Sequence, residues 1–333
     1  MATPSVRYVE RRFAIESASR GLTGCAPSHT DTAGRCPGSL KSSLRPSGEV
    51  GFRTPPRLPM LRSVRLMTWN VLWRFEPDWR ARERAILSTL NQLKPDVIGL
   101  QECWYADGRS QAHVFAERLG MHAAFEAPSL PPVPDPPEHP DQAGALMGVG
   151  IVSRWPITAV RRHELPVSHR QVAPVALGAE LRHPDTPFRV IVAATEWEPD
   201  YADDHLAQTA AIAELVAHPT PGPGGDIPTF LLADLNCDSS QAEFAPLAAV
   251  ADDTWELGHG DPDAATLSSV VPFAPFEATK EIDRRIDHIL VTRSLDVAIE
   301  AAFTVDSPVG DLYPSDHFPV VADVRLTREL RPS

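Results

Sequence analysis

The sequence predicts a single α/β domain over residues 61–328, and three observations point to it. Short apolar runs rich in β-branched residues recur along the chain, helical periods lie between several of them, and no internal repeat divides it into modules. The 333 residues, 43% hydrophobic and 23% charged, suffice for a large buried core.

Taken in order, residues 1–60 are rich in Ser, Pro, Gly, Thr and Arg and show no sustained period. We read them as a disordered tail, with a start codon assigned too early (translation beginning at Met60 or Met67) favoured over a targeting peptide. From Val64 the pattern changes. VRLMTWNVL alternates and then runs apolar, which predicts a buried strand ending near Asn70. Asp78 can cap a helix whose Ile86, Leu87, Leu90 and Leu93 share one face and which stops at Lys94-Pro95. VIGLQE predicts a second buried strand ending at Glu102, and residues 112–119 a helix. The proline-dense segment 128–140 reads as a surface loop. Strand-like runs follow at 148–152, 175–181, 188–194, 229–232, 286–291 and 320–324, with an Ala-rich helix from Asp203 or Asp204 to Ala217 and a Pro/Gly loop at 219–228. Residues 329–333 read as a short tail.

Composition excludes several classes. The net charge is −13, yet residues 1–60 hold nine Lys/Arg against four Asp/Glu, leaving 22 basic and 40 acidic residues in the remainder. So acidic a body disfavours non-specific coating of nucleic acid, which depends on Lys and Arg neutralising phosphates. No run of about 18 apolar residues appears and no signal-peptide core opens the chain, so a cytoplasmic protein without a membrane span, a monomer, is expected. Cys25, Cys36, Cys103 and Cys237 lack CxxC spacing, which argues against a disulfide framework or a zinc site.

Polar residues that a core should exclude sit at the ends of apolar runs: Asn70 after LMTW, Glu102 after VIGLQ, Asp234 and Asn236 around FLLADLN, Asp287 before HILV, and Asp316-His317 before FPVV. Each alone is an ordinary cap or turn residue. Together they are several carboxylates without matching Lys or Arg, a set that a hard divalent cation reconciles. Asn, Asp and Glu oxygens suit Mg²⁺ or Mn²⁺.

TWN, LQE, ADLN, IDHIL and SDHFPV occur in the order found in the endonuclease/exonuclease/phosphatase (DNase-I-like) superfamily, which this chain resembles from about Val64 to Leu326. The resemblance implies a four-layer sandwich of two packed mixed β-sheets flanked by helices, and hydrolysis of phosphate esters with Mg²⁺ or Mn²⁺. It implies Glu102 as principal metal ligand with Asn70 and Asp316 beside it. Asp234 would orient or deprotonate the attacking water, and Asn236 would hydrogen-bond a phosphate oxygen. His317 would face the scissile phosphate, and Asp287 would hold its imidazole.

One element departs from the pattern. Most members end a middle strand with a histidine in a motif resembling T-H-L; here the run is VIVAATEWEPDY, with Glu196 where that histidine would fall, or a two-residue deletion. Either Glu196 serves in its place or His205 swings in. The alternative is a catalytically weakened phospho-ligand-binding protein on the same fold. Trp104 and Trp197, close behind Glu102 and Glu196, are either an aromatic wall to the site or core; Arg284 and Arg285 are either a phosphate clamp or ordinary ion pairs.

Overall fold

The computed structural model describes residues 63–76, 78–222, 225–275, 282–293 and 297–326; the expectations for residues 1–60 and 329–333 lie outside the described residues. In order come β1 (Val64–Asn70), α1 (Trp79–Leu93), β2 (Val97–Ala106), β3 (Arg109–Ser110), α2 (Gln111–Leu119), β4 (His122–Glu126), β5 (Leu146–Ser153), β6 (Ile157–Glu164), β7 (Val175–Leu181) and β8 (Phe188–Ala194). Then follow α3 (Ala202–Ala217), the two-residue strands β9 (Pro221–Gly222) and β10 (Gly225–Asp226), β11 (Thr229–Asp234), α4 (Ala245–Ala248), β12 (Ala251–Asp253), α5 (Thr254–Leu257), β13 (Asp287–Thr292), β14 (Val297–Thr304) and β15 (Val320–Leu326).

Two mixed sheets carry the fold. The first runs β14-β15-β1-β2-β5-β4 with β3 attached to β2, the second β12-β13-β11-β8-β7-β6. In each, one parallel pair (β1 with β2, β11 with β8) lies at the centre, and the other pairings are antiparallel. Alternation along the strands sorts the side chains into layers. Leu66, Val97, Ile151, Val192, Leu232 and Ile289 meet in one cluster between the sheets. Met67, Trp69, Ile98 and Leu100 face outward onto Ile86 and Leu90 of α1 and Phe115 of α2. Ile191, Ala193 and Leu231 face outward onto Ile212 and Val216 of α3. The result is the four-layer sandwich that the resemblance implies.

Local details differ from the sequence reading for identifiable reasons. Asp78 stands in the left-handed region (φ 60°) with no side-chain cap; its carbonyl instead accepts from Ala81 and Arg82. The second strand does not stop at Glu102 but continues to Ala106, through a bulge in which the register slips between Leu100, opposite Gly150, and Cys103, opposite Gly148. Glu102 takes the left-handed conformation there (φ 52°), a strain of about 1–3 kcal/mol for a residue with a Cβ. Strands β4, β6 and β14 have no clear sequence signal because they are sheet edges: β6 is exposed along most of its length and lacks an apolar run. The loop at 128–140 is tied down where it begins, since Pro128 O accepts from Val175 N at 3.0 Å and Ser129 N donates to Met147 O at 3.0 Å.

The sheets approach closely beside the site. A Cβ on Gly99 would stand 2.6 Å from Leu232 Cβ and 3.1 Å from Val192 Cγ2, both in the facing sheet. Gly99→Ala is therefore expected to destabilise the fold by about 1–3 kcal/mol through overpacking, read from the midpoint of urea denaturation. An unchanged midpoint would contradict the sheet spacing described above.

Candidate active site

The same alternation that builds the core delivers the polar residues. In β1, Asn70 follows Leu66 and Thr68 on the face between the sheets, and in β11 Asp234 follows Phe230 and Leu232. Asp287 opens β13 directly opposite Asp234 in the antiparallel ladder. Three strand ends from two sheets thus meet at one rim, and the Glu102 bulge lies beside them.

The Asn70 carboxamide joins the sheets. Its Oδ1 accepts from Leu72 N at 3.0 Å, which fixes Nδ2 as the donor, and Nδ2 bonds Glu102 Oε1 and Asp234 Oδ2 at 3.0 Å each. On the other side, His317 Nδ1 lies 2.9 Å from Asp287 Oδ2. Thr266 Oγ1 accepts from the backbone amides of Ile286 and Asp287 and so holds that carboxylate's strand end. The segment before β15 is anchored by Trp69 Nε1, which donates to His317 O at 2.9 Å, and by Ser315 Oγ, which donates to Asn70 O at 2.7 Å. Arg82, reaching in from α1, donates to the carbonyls of Val71, Leu72, Trp73 and Pro314 and ties the loop after β1 to the loop before β15.

Charge is unbalanced in this group. Burial pushes the Glu102 carboxyl up to about 8; the Asp316 charge adds to this and the Asn70 amide opposes it. Burial and the Asp287 charge raise Asp234 to about 6, against His317, Asn70 and the Asn236 amide. Burial alone would depress the His317 imidazolium, but Asp287, Asp234 and Asp316 outweigh it and hold the ring well above its ordinary value. Glu102 Oε2 and Asp287 Oδ1 are buried with no hydrogen-bond partner among the described residues. A buried oxygen left in that state is costly. An orphaned carboxylate oxygen near the buried Asp316 carboxylate is an oxygen-donor set that fits Mg²⁺ or Mn²⁺ and offers nothing to a soft metal; the Asn70 amide turns its NH₂, not its oxygen, toward this set. Asp234, Asp287 and His317 also place ligand atoms within 4.8 Å of one another.

Asn70, Glu102, Asp234, Asp287 and His317 are therefore brought together, with Asp316 buried next to His317. Asn236 stands two residues beyond Asp234 in the left-handed region (φ 49°), its N–H on Asp234 Oδ1 at 3.1 Å and its Nδ2 on Thr195 O at 3.0 Å. Among the described residues, one amide hydrogen of Asn236 is left over.

Glu196 and His205 are placed differently. Glu196, fully buried just past β8, accepts from Arg170 Nη2 (3.1 and 3.2 Å) and from the amides of Trp197 and Glu198, and makes no bond to the residues above. His205 is buried in α3 with Nε2 on Leu235 O at 2.8 Å. His169, which the sequence reading did not single out, is held by Asp204 through Nδ1 at 2.6 Å and lies 3.5 Å from Glu196 through Nε2. His169, Glu196 and Glu198 have the spacing of a metal site, but Arg170 Nη2 already bonds both glutamates. Trp104 is core, with Nε1 on Glu83, while Trp197 carries the Arg170 guanidinium 5.1 Å above its ring. Arg284 and Arg285 form ion pairs with Asp238 and Asp253. Arg82, Thr266, Ser315 and Arg170 escape sequence reading because nothing local distinguishes them from exposed residues of a helix or loop.

Comparison with known proteins agrees with this geometry. A family model described as the endonuclease/exonuclease/phosphatase family matches residues 67–317. No curated protein sequence matches the chain. Among solved structures, the human Nocturnin catalytic domain with bound sulfate is 19% identical over 80% of this chain and 95% of that one, with TM-score 0.60. D. rerio TDP2 complexed with a single-strand DNA product is 16% identical over 79% and 99%, TM-score 0.58. An endonuclease/exonuclease/phosphatase from Beutenbergia cavernae DSM 12333 is 23% identical over 80% and 72%, TM-score 0.60. At these identities the likeness speaks for the fold.

The raised carboxyls have a thermodynamic signature. A carboxyl whose folded pKa exceeds its unfolded value contributes stability below the unfolded value and loses it as pH rises through the folded one. In EDTA, Tm is thus expected to fall as pH rises from about 4 through about 8, the window of Asp234 and Glu102. Added Mn²⁺ should raise Tm more at the top of that window than at the bottom, and Glu102→Gln should flatten the slope. A metal-free Tm that climbs across the window would contradict the placement of these groups.

Proposed function

Because the chain belongs to the endonuclease/exonuclease/phosphatase family, we propose that it is a divalent-metal-dependent hydrolase of phosphate esters, acting through in-line attack of water. The observation that carries the proposal is one buried rim where Asn70 bridges Glu102 and Asp234 while Asp287 holds a charged imidazole opposite.

Glu102 and Asp316 would hold Mg²⁺ or Mn²⁺, with Asn70 beside them fixing the Glu102 carboxylate through its amide hydrogen. When bound, such a cation supplies Lewis acidity toward a phosphoryl oxygen and charge neutralisation. Asp234, raised to about 6, is poised near neutrality to orient the attacking water and accept its proton. His317, kept protonated by three carboxylates, faces the phosphoryl oxygens as a cationic donor, and Asp287 fixes which ring nitrogen points outward. The amide hydrogen that Asn236 does not spend on Thr195 is available to a phosphate oxygen.

The sulfate in Nocturnin and the DNA product in TDP2 support a phosphate-type oxyanion as the recognised group. The acidic body favours a small phosphate ester over a long nucleic acid. Glu196 at the end of β8, sealed by Arg170, favours the second reading, a phospho-ligand-binding protein with weakened catalysis.

Hydrolysis of bis(p-nitrophenyl) phosphate separates the two. Release of nitrophenol that needs Mn²⁺ or Mg²⁺, stops with EDTA, is abolished in Glu102→Ala and Asp234→Ala, and drops by about 10²–10⁴-fold in His317→Ala is the enzyme's signature. Equal low turnover in the wild type and these variants would leave the binding protein.

A further inference from the structure

Two buried histidines flank Asn236 in the chain fold without touching the reacting group. His205 of α3 places Nε2 2.8 Å from Leu235 O, and His288 of β13 places Nε2 3.0 Å from Cys237 O. A carbonyl oxygen only accepts, so both Nε2 atoms carry the proton. The other nitrogen of His288, Nδ1, lies 2.8 Å from Arg285 Nη1 and 3.5 Å from Asp253 Oδ2. Arg285 is in turn braced by Asp253 at 2.7 Å. The residue between the two gripped carbonyls is Asn236, left-handed at φ 49°, a conformation that a free loop abandons easily.

We propose that His205 and His288 are positioning residues that clamp the carbonyls on either side of Asn236 and so aim its spare amide hydrogen at the substrate's phosphate. The inference rests on the reading of Asn236 given above. The clamp reaches the loop through separate neighbours. Thr195, just past β8, accepts from Asn236 Nδ2 through its carbonyl and donates its hydroxyl to Leu235 O at 2.7 Å; on the β13 side, Ile286 O accepts from Leu235 N at 2.9 Å. With the backbone pinned on both sides and one side-chain hydrogen committed to Thr195, only the other hydrogen of Nδ2 remains to serve the cleft. An imidazole suits the task because its ring is rigid and its far nitrogen can be fixed in turn, as Arg285 does for His288.

The test pairs His205→Leu and His288→Leu, which fill the space without a donor, with His205→Gln and His288→Gln, which keep an N–H within reach. With Mn²⁺ and bis(p-nitrophenyl) phosphate, the Leu variants are expected to lose about ten- to hundredfold in kcat with Mn²⁺ affinity unchanged, and the Gln variants to recover most of it. In an Asn236→Ala background, where nothing is left to aim, the Leu changes should cost less than about twofold. The same fold loss in both backgrounds, or Gln no better than Leu, overturns the proposal. Amide exchange at Asn236 gives a readout free of turnover: it should speed up in the Leu variants while the amides of β11 keep their rates, and unchanged exchange overturns the clamp. A wild type without metal-dependent turnover would sink the phosphoesterase reading alone and leave the clamp to that exchange. If His288→Leu fails to fold by circular dichroism, the His205 pair decides.

Discussion

Everything at the rim depends on one carboxamide. Asn70 spends both hydrogens of Nδ2 on carboxylates that belong to different sheets, Glu102 in the first and Asp234 in the second, while its oxygen is held by the Leu72 amide. Side chains of similar size do not offer this. An aspartate would add a third negative charge, and a hydroxyl has one hydrogen to give. The bridge sets the separation of the two sheet ends, and with it the distances among the carboxylates that face each other there.

The second constraint is electrostatic. The fold gathers Glu102, Asp234, Asp287 and Asp316 where water cannot screen them, and answers within the group with a single imidazolium, His317. Arg82 stands behind Asp316, but its guanidinium is spent on four backbone carbonyls and serves as a rivet between two loops. What remains is a concentration of negative potential with orphaned oxygens, costly to the bare protein and favourable to a small hard cation. The strain at the Glu102 bulge belongs to the same account: a left-handed backbone turns that carboxylate into the group while the strand runs on past it.

Much of this is legible in the chain, for a physical reason. A buried strand tolerates few polar residues, so Asn70, Glu102, Asp234 and Asp287 stand out at the ends of apolar runs, and β1, β7 and β8 are read to the residue. The edge strands β4, β6 and β14 are half-covered, lack a continuous apolar run and escape. So does the bulge, because a register slip is a property of the pair β2 and β5 and not of either segment. Arg82 and Arg170 read as surface charges, since only tertiary contact buries them. His205 is conspicuous as a residue, yet its bond to Leu235 O depends on α3 packing beside β11, which no local pattern records.

The seal over Glu196 bears on how such a protein diverges. In most members of the family that the sequence resembles, a histidine ends this strand; here a glutamate does, and Arg170 is bonded to it and to Glu198. Exchanging the glutamate alone would strip the half-buried Arg170 guanidinium of a main counter-charge, and exchanging the arginine alone would leave the fully buried Glu196 carboxylate without its principal cation. Each residue makes the other hard to replace. The pairing therefore couples the two positions: a change at either one calls for a matching change at the other.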